Sequence, residues 1–476
     1  MHGPVILHPR SAPVSAEHSG YVWGIAIVAA LGGLLFGYDW VVIGGARQFY
    51  EVYFHLTSSA MVGWANSCAL VGCLLGSLAA AFFANKYGRR RVLLAAAILF
   101  GVSSALTGWS YSFMSFIVWR IAGGIAIGLS SNVAPLYIAE ISPAAIRGRL
   151  VSLNQFAIVI GILLAQIVNW MIAKPVANGI TTDALLNSWN VQYGWRWMFL
   201  AVVAPAAVFT IASLFIPESP RWLLTQDRGT DARVVLERIG GRPFADAEIL
   251  SIDHALLMET SAARSSLREL LQPSIRRIVL VGMALAVLQQ WTGINTLFNY
   301  AVEVYRSAGY GANDIFLNIV ITGAINLVFT VLAMLLVDRV GRRRLMIFGT
   351  IGIGASQLFC AVAYHAGWGG SAVLVLTLSA IACYALTLAP VTWVLIAEIF
   401  PNRVRSQGVS AAVSTLWLAS FALTYTFPML NRSLGTDGVF FIYGVICILG
   451  CVLVIFFVPE TKGRSLEEIE SQIVAR

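Results

Sequence analysis

Charge is what this sequence has least of. Of its 476 residues, 11% are Asp, Glu, Lys or Arg and 58% are hydrophobic, where a soluble domain carries about a quarter charged. A soluble fold is excluded on that ground. Cysteine is sparse too: Cys68, Cys73, Cys360, Cys383, Cys447 and Cys451 all lie in apolar runs, where the thiol acts as a small hydrophobe. No disulfide framework and no metal site is expected. None of the six histidines lies deep in an apolar run, and no nucleophile can be assembled with a base and an orienting group, so neither enzyme chemistry nor a cofactor is expected. The first nineteen residues lack the apolar core of a cleaved leader. The run "GGIAIG" at 123–128 follows no strand, so it reads as helix packing rather than nucleotide binding.

What fills the chain instead is a succession of apolar runs, each long enough to cross a bilayer, which takes about 20 residues. They lie at 21–46, 58–84, 92–109, 113–139, 150–172, 196–216, 275–305, 313–337, 345–365, 370–397, 407–430 and 438–458. Twelve spans put both termini on one side. If that side is cytoplasmic, 25 of the 31 Lys and Arg fall there. Arg47, Lys174, Arg196, Arg306 and Arg432 remain on the outer side or its edges, and Arg120 within a span. The net charge of +8 is therefore a positive-inside signature and calls for no nucleic-acid partner. The expectation is a multi-pass protein of the plasma (inner) membrane, monomeric, with the bilayer as its main partner. The sequon "NRS" at Asn431 falls on an outer loop and matters only in a eukaryotic secretory pathway.

Two halves repeat one design. "NKYGRRRVLL" from Asn85 returns as "DRVGRRRLMI" from Asp338, "AEISPAAIRGR" from Ala139 as "AEIFPNRVRSQ" from Ala397, and "PESPRW" from Pro217 as "PETKGR" from Pro459. The implied organisation is a tail at 1–20, a six-helix bundle at 21–216, a helical linker at 217–274, a second bundle at 275–458 and a tail at 459–476. In the linker, Thr230 and Asp231 are placed to cap a short amphipathic helix that ends at Gly240.

These motifs, with "QQWTGIN" in the seventh span and the closing "PETKGRSLEEIE", resemble the sugar porter family of the major facilitator superfamily, from about Tyr21 to Glu470. Within it the chain is most similar to bacterial proton-coupled D-xylose carriers. The resemblance implies the major facilitator fold and alternating access. It also implies import of a monosaccharide, a pentose such as D-xylose or a hexose such as D-glucose, by proton symport. Facilitative uniport of a sugar or polyol stays open as an alternative, and a membrane sugar sensor is a further rival.

One carboxylate stands out from the residues alone. Asp39 in "LLFGYDWVVIGG" is the sole charge between Tyr21 and Arg47, and an aspartate at mid-span costs about 2.5 to 3.5 kcal/mol on insertion scales. At 1.5 Å per residue it lies about 9 Å below Gly45, and Arg120 lies about 10 Å past Phe113. Mutual pairing at equal depth is the cheapest arrangement, either as a structural salt bridge or as a working one. A carboxylate whose arginine partner moves can take a proton in one conformation and release it in another. By resemblance Asp39 is the proton site and Arg120 its partner, although Val202 stands where the similar xylose carriers hold a further acid.

A sugar site needs amides that donate and accept beside an aromatic surface. Gln289, Gln290 and Asn295 in the seventh span and Asn326 in the eighth fall near mid-depth. Gly293 interrupts the seventh span, and Pro390 is expected to loosen the tenth near Trp393. By resemblance Gln155, Gln289, Gln290, Asn295, Asn326 and Trp393 match sugar-contacting positions, with Ala389 where a glycine is usual. Ile162, Leu416 and Asn299 depart from the pattern; Asn299 with Tyr300 replaces a tyrosine pair, and both are expected among the sugar-binding residues. On the inner side Glu140 and Arg147 repeat as Glu398 and Arg405, beside Arg89, Arg342 and Glu218. In the family such residues form a charge network between the halves that breaks when the carrier faces inward.

Overall fold

Each "GRRR" turn ends one long helix and begins the next, because Gly88 and Gly341 take φ of 94° and 102°, a region that a side chain disfavours. The computed structural model describes residues 16–175, 182–261, 269–270, 272–401 and 404–462. The spans run Ala16–Tyr53, Ser59–Tyr87, Arg89–Gly108, Phe113–Ile141 and Arg147–Ile172. The sixth follows a π-helical turn, as Trp195–Leu200 and Val203–Ser213. Short helices Pro220–Thr225, Gly229–Gly240 and Arg242–Ser261 lead to the seventh span, Pro273–Trp291, Ile294–Asn299 and Ala301–Ser307. Then come Ala312–Val340, Arg342–His365, the tenth span in two pieces (Gly370–Leu386 and Leu388–Glu398) and Arg405–Phe457. That final helical stretch breaks at Gly435, with φ 74° and ψ 169°. Among the described residues, eleven helical stretches are long and apolar enough to cross a membrane, and the break in the last makes twelve crossings. The described residues are all-α, with the twelve crossings expected of a major facilitator fold.

Large apolar side chains cover the outside: Phe82, Phe215, Phe348 and Phe456 are all exposed. Such a surface suits hydrocarbon, where helices satisfy their own backbone. The halves meet along two seams, the second span against the eleventh and the fifth against the eighth. At the first seam Gly63 packs against the Tyr425 carbonyl and Trp64 meets Phe421 edge-on.

Two local readings are corrected, and a third, the loosening of the tenth span by Pro390, holds. Thr230 and Asp231 do not cap their helix. It begins at Gly229 after Arg228 without a side-chain cap, and Asp231 pairs with Arg228 at 2.7 Å instead. The tenth span breaks at Thr387, ahead of Pro390, because a proline ring clashes with the carbonyl four residues earlier, here that of Leu386. The first span does not end near Gly45 but continues to Tyr53, so Arg47 is helical. Its partner Glu51, one turn on, supports the extension as an i,i+4 pair. Residues 1–15, 463–476, 262–268 and 271, which belong to the expected tails and linker, lie outside the described residues.

Candidate functional site

The two intramembrane charges meet. Arg120 donates from an Nη to Asp39 Oδ1 at 2.7 Å, with the residues 4% and 2% exposed. The first and fourth spans place them there, and the guanidinium also lies over the Phe199 ring at 5.2 Å. The second carboxylate oxygen, Asp39 Oδ2, has no hydrogen-bond partner among the described residues. Val202, the position of the missing second acid, is fully buried.

In the seventh span the predicted break is real. Gly293 adopts a left-handed φ of 83°, and the Thr292 carbonyl freed by it accepts from Gln357 Nε2 at 2.7 Å. The break brings together the predicted amides. Gln290 Nε2 donates to Gln289 Oε1 at 3.2 Å, Asn295 Nδ2 donates to Gln290 Oε1, and Gln289 Nε2 reaches the Ala389 carbonyl of the tenth span at 3.3 Å. Three amides thus form one chain across two spans. Asn326 is buried, Gln155 is half-buried and Trp393 is 38% exposed. Aromatic surface lies close to Asp39: Phe36 and Trp40 of the first span meet Trp417 of the eleventh at 5.9 and 6.3 Å.

Asn299 and Tyr300 are drawn elsewhere. Gly44 packs against the Phe298 carbonyl and the Asn299 backbone. Tyr300 donates to the Thr424 carbonyl at 2.6 Å, with Arg47 over its ring at 4.4 Å. Around them lies a charge cluster missed by sequence reasoning. Arg47 bridges Glu51 of its own helix and, at 2.6 Å, Glu303 of the other half. Asn431 Nδ2 donates to Glu303 at 2.6 Å, and Arg306 to Gln48 at 2.5 Å. The face opposite the "GRRR" turns is therefore clamped shut, and Asn431, read as a sequon, is part of the clamp.

At the "GRRR" face the repeat becomes geometry. Arg89 pairs with Glu140 through two bonds of 2.9 Å, and Glu218 accepts from the Arg89 backbone N–H at 2.8 Å. In the second half Arg342 lies 3.6 Å from Glu398, and its backbone N–H donates to Glu460 at 2.9 Å. Ser219 and Thr461 donate to Glu140 and Glu398 respectively. A carboxylate at a helix N-terminus meets both unpaired N–H groups and the positive end of the dipole, which is the job of Glu218 and of Glu460. The latter was missed, though the match of "PES" with "PET" marks it. Arg147 and Arg405 each donate to a carbonyl five residues back, those of Ser142 and Phe400. The ion pairs named here each join groups of one half.

Comparison with known proteins agrees with this arrangement. The model of the family described as "Sugar (and other) transporter" matches residues 25–472. The chain is 36% identical to the D-xylose-proton symporter of Escherichia coli (strain K12), covering 95% of this chain and 96% of that one. It is 35% identical to the arabinose-proton symporter of Bacillus subtilis (strain 168), covering 98% of each. The inward-open structure of the xylose transporter XylE from E. coli superposes with a TM-score of 0.82 at 34% identity, covering 95% of this chain and all of that one.

Proposed function

The chain belongs to the sugar transporter family, and from that premise we propose that it imports a monosaccharide together with a proton by alternating access. The observation that carries the proton is the buried Asp39–Arg120 pair. A cation beside a carboxylate opposes protonation, so any conformational step that parts the two invites a proton onto Asp39, and the return expels it. Its unpaired Oδ2 is the atom open to that proton. The sugar is held by Gln289, Gln290 and Asn295, with Gln155, Asn326 and Trp393 completing the pocket. The amides now bond mainly to one another and exchange those bonds for sugar hydroxyls, which keeps the cost of an unoccupied site low.

The "GRRR" face is the cytoplasmic one in this reading, with the protein in the plasma (inner) membrane, both termini on the cytoplasmic side, and the carrier working as a monomer. Closure on the opposite face is an inward-facing arrangement, in line with the likeness to an inward-open structure. Arg89, Glu140, Arg147, Glu218, Arg342, Glu398 and Arg405 are held within their halves here. They engage across the halves when the cytoplasmic face closes. The residue domains 21–216 and 275–458 act as the two moving bodies and 217–274 as their tether. Uniport, with Asp39 serving structure alone, is the competing reading, favoured by the buried valine at 202. Uptake of labelled pentoses, hexoses and polyols into proteoliposomes, with and without a pH gradient, decides: symport requires the gradient to concentrate at least one sugar.

The outer clamp gives a further expectation. A network present in one state biases the equilibrium by its differential energy, and the Arg47–Glu303 pair, with the glutamate side chain 32% exposed, is worth about 1 kcal/mol. Glu303→Gln leaves Arg47 with Glu51 and the Tyr300 ring and is expected to raise the outward-open population several-fold. Maleimide labelling from outside of a cysteine placed by Asn299→Cys measures it, and an unchanged labelling rate refutes the clamp.

A further inference from the structure

The two seams between the halves are built from different materials. The second and eleventh spans close with Trp64, Phe421 and Tyr425. The fifth and eighth close with amides. Gln166 and Asn169, nearly one turn apart, share a face of the fifth span, and Asn318 and Thr322, four residues apart, share a face of the eighth. Asn326 continues that face one turn inward, into the sugar pocket. These amides are almost wholly buried, with Gln166 1% and Asn318 6% exposed.

They are also poorly matched. Among the described residues one bond joins these groups across the seam, Gln166 Nε2 to Thr322 Oγ1 at 3.4 Å, and Asn169 Nδ2 spends itself on the Val42 carbonyl at 3.1 Å. Gln166 Oε1, Asn169 Oδ1 and Asn318 Nδ2 have no hydrogen-bond partner among the described residues. Gly323 makes room for the glutamine, since a Cβ there would fall 1.9 Å from Gln166 Oε1. Buried polar atoms are almost always satisfied, and each exception asks for a reason. The aromatic seam shows that polarity is not needed to close the halves. The seam amides lie on the outer side of Asn326, and Asn169 packs against Gly45, two residues before Arg47 of the clamp.

We propose that Gln166, Asn169 and Asn318 form a second binding station for monosaccharide hydroxyls, assembled in the outward-open state and handing the sugar down the eighth span to Asn326. The station rests on the reading of the chain as a sugar carrier and adds to it an outer subsite. Carboxamides suit the task because each offers a donor and an acceptor to vicinal hydroxyls.

The test uses the full chain in oriented proteoliposomes, with labelled D-xylose and D-glucose and their monodeoxy analogues presented at the outer face. Gln166→Leu and Asn318→Leu are each expected to lower kcat/KM for the parent sugar about tenfold, as for loss of a hydrogen bond worth roughly 1.4 kcal/mol. At least one monodeoxy analogue, lacking the hydroxyl those amides hold, should change less than twofold. A shift in conformational balance lowers every sugar by one common factor, so a uniform loss across the panel overturns the station, as does no loss in either variant. Both variants remove unmatched atoms from the closed seam and are expected to melt no lower than the wild type. A wild type that moves no sugar overturns the carrier reading itself, and a wild type that moves sugar while the variants show no selectivity overturns the station alone.

Discussion

Replacing Asp39 by asparagine is expected to abolish accumulation of sugar against its gradient while leaving exchange across the membrane intact. Asparagine imitates the carboxylic acid and holds it permanently in that form, so the proton step is removed and the sugar step is not. Gln289, Gln290 and Asn295 bond among themselves and to the tenth span, so binding should persist. Arg120 keeps the Phe199 ring but loses its anion, and a stranded buried charge costs about 3 to 5 kcal/mol. The variant should therefore melt at lower temperature. Counterflow, measured in the same proteoliposomes, separates uncoupling from misfolding because a misfolded carrier loses both activities. Full concentrative uptake by the variant would show that the proton travels elsewhere.

The second large effect is expected in the pocket. Asn295→Ala removes the group that donates to Gln290, and Gln289→Ala removes both an acceptor for Gln290 and the link to Ala389. Each truncation deletes contacts to the sugar and leaves a buried neighbour unmatched, at about 1 to 3 kcal/mol apiece. A loss of affinity of tenfold or more follows, since 1.4 kcal/mol is a factor of ten. Titration calorimetry of the purified variants with the sugar that the wild type transports reads this directly. Wild-type affinity in both would remove the seventh span from the site.

How far the sequence discloses these parts depends on whether a residue must answer to its neighbours or to distant ones. Asp39 and Arg120 could be paired on paper because each stands almost alone in an apolar run, leaving one economical partner. Gly293 announced its break through the residue type itself. The doubled turns were legible because a repeat is a statement about sequence, and Arg89 with Glu140 returns spatially as Arg342 with Glu398. Other features depend on tertiary partners. The first helix runs past Gly45 with Arg47 paired both to Glu51 one turn on and to Glu303, 256 positions away, and hydropathy registers neither partner. Tyr300 reads as a pocket residue, yet its hydroxyl is bound to the Thr424 carbonyl in this conformation. Gln166 carries no motif, and its unmatched oxygen is visible only once the eighth span lies against it. Pro390, by contrast, announced the break in the tenth span, which falls at Thr387 one turn ahead, where a proline ring clashes.

The claim on which all of this turns is that sugar and proton move together. Its most direct test is the proton current evoked by sugar alone, with no pH gradient imposed. Purified wild-type carrier is reconstituted with an internal pH dye, membrane potential is clamped with potassium and valinomycin, and a transported sugar is added outside. The account expects the lumen to acidify as sugar flows in, at an initial rate that saturates with the same KM as labelled uptake, and expects no acidification with Asp39→Asn. Labelled sugar that equilibrates across the membrane while the lumen holds its pH would contradict it, and would make the Asp39–Arg120 bridge a structural element of a uniporter.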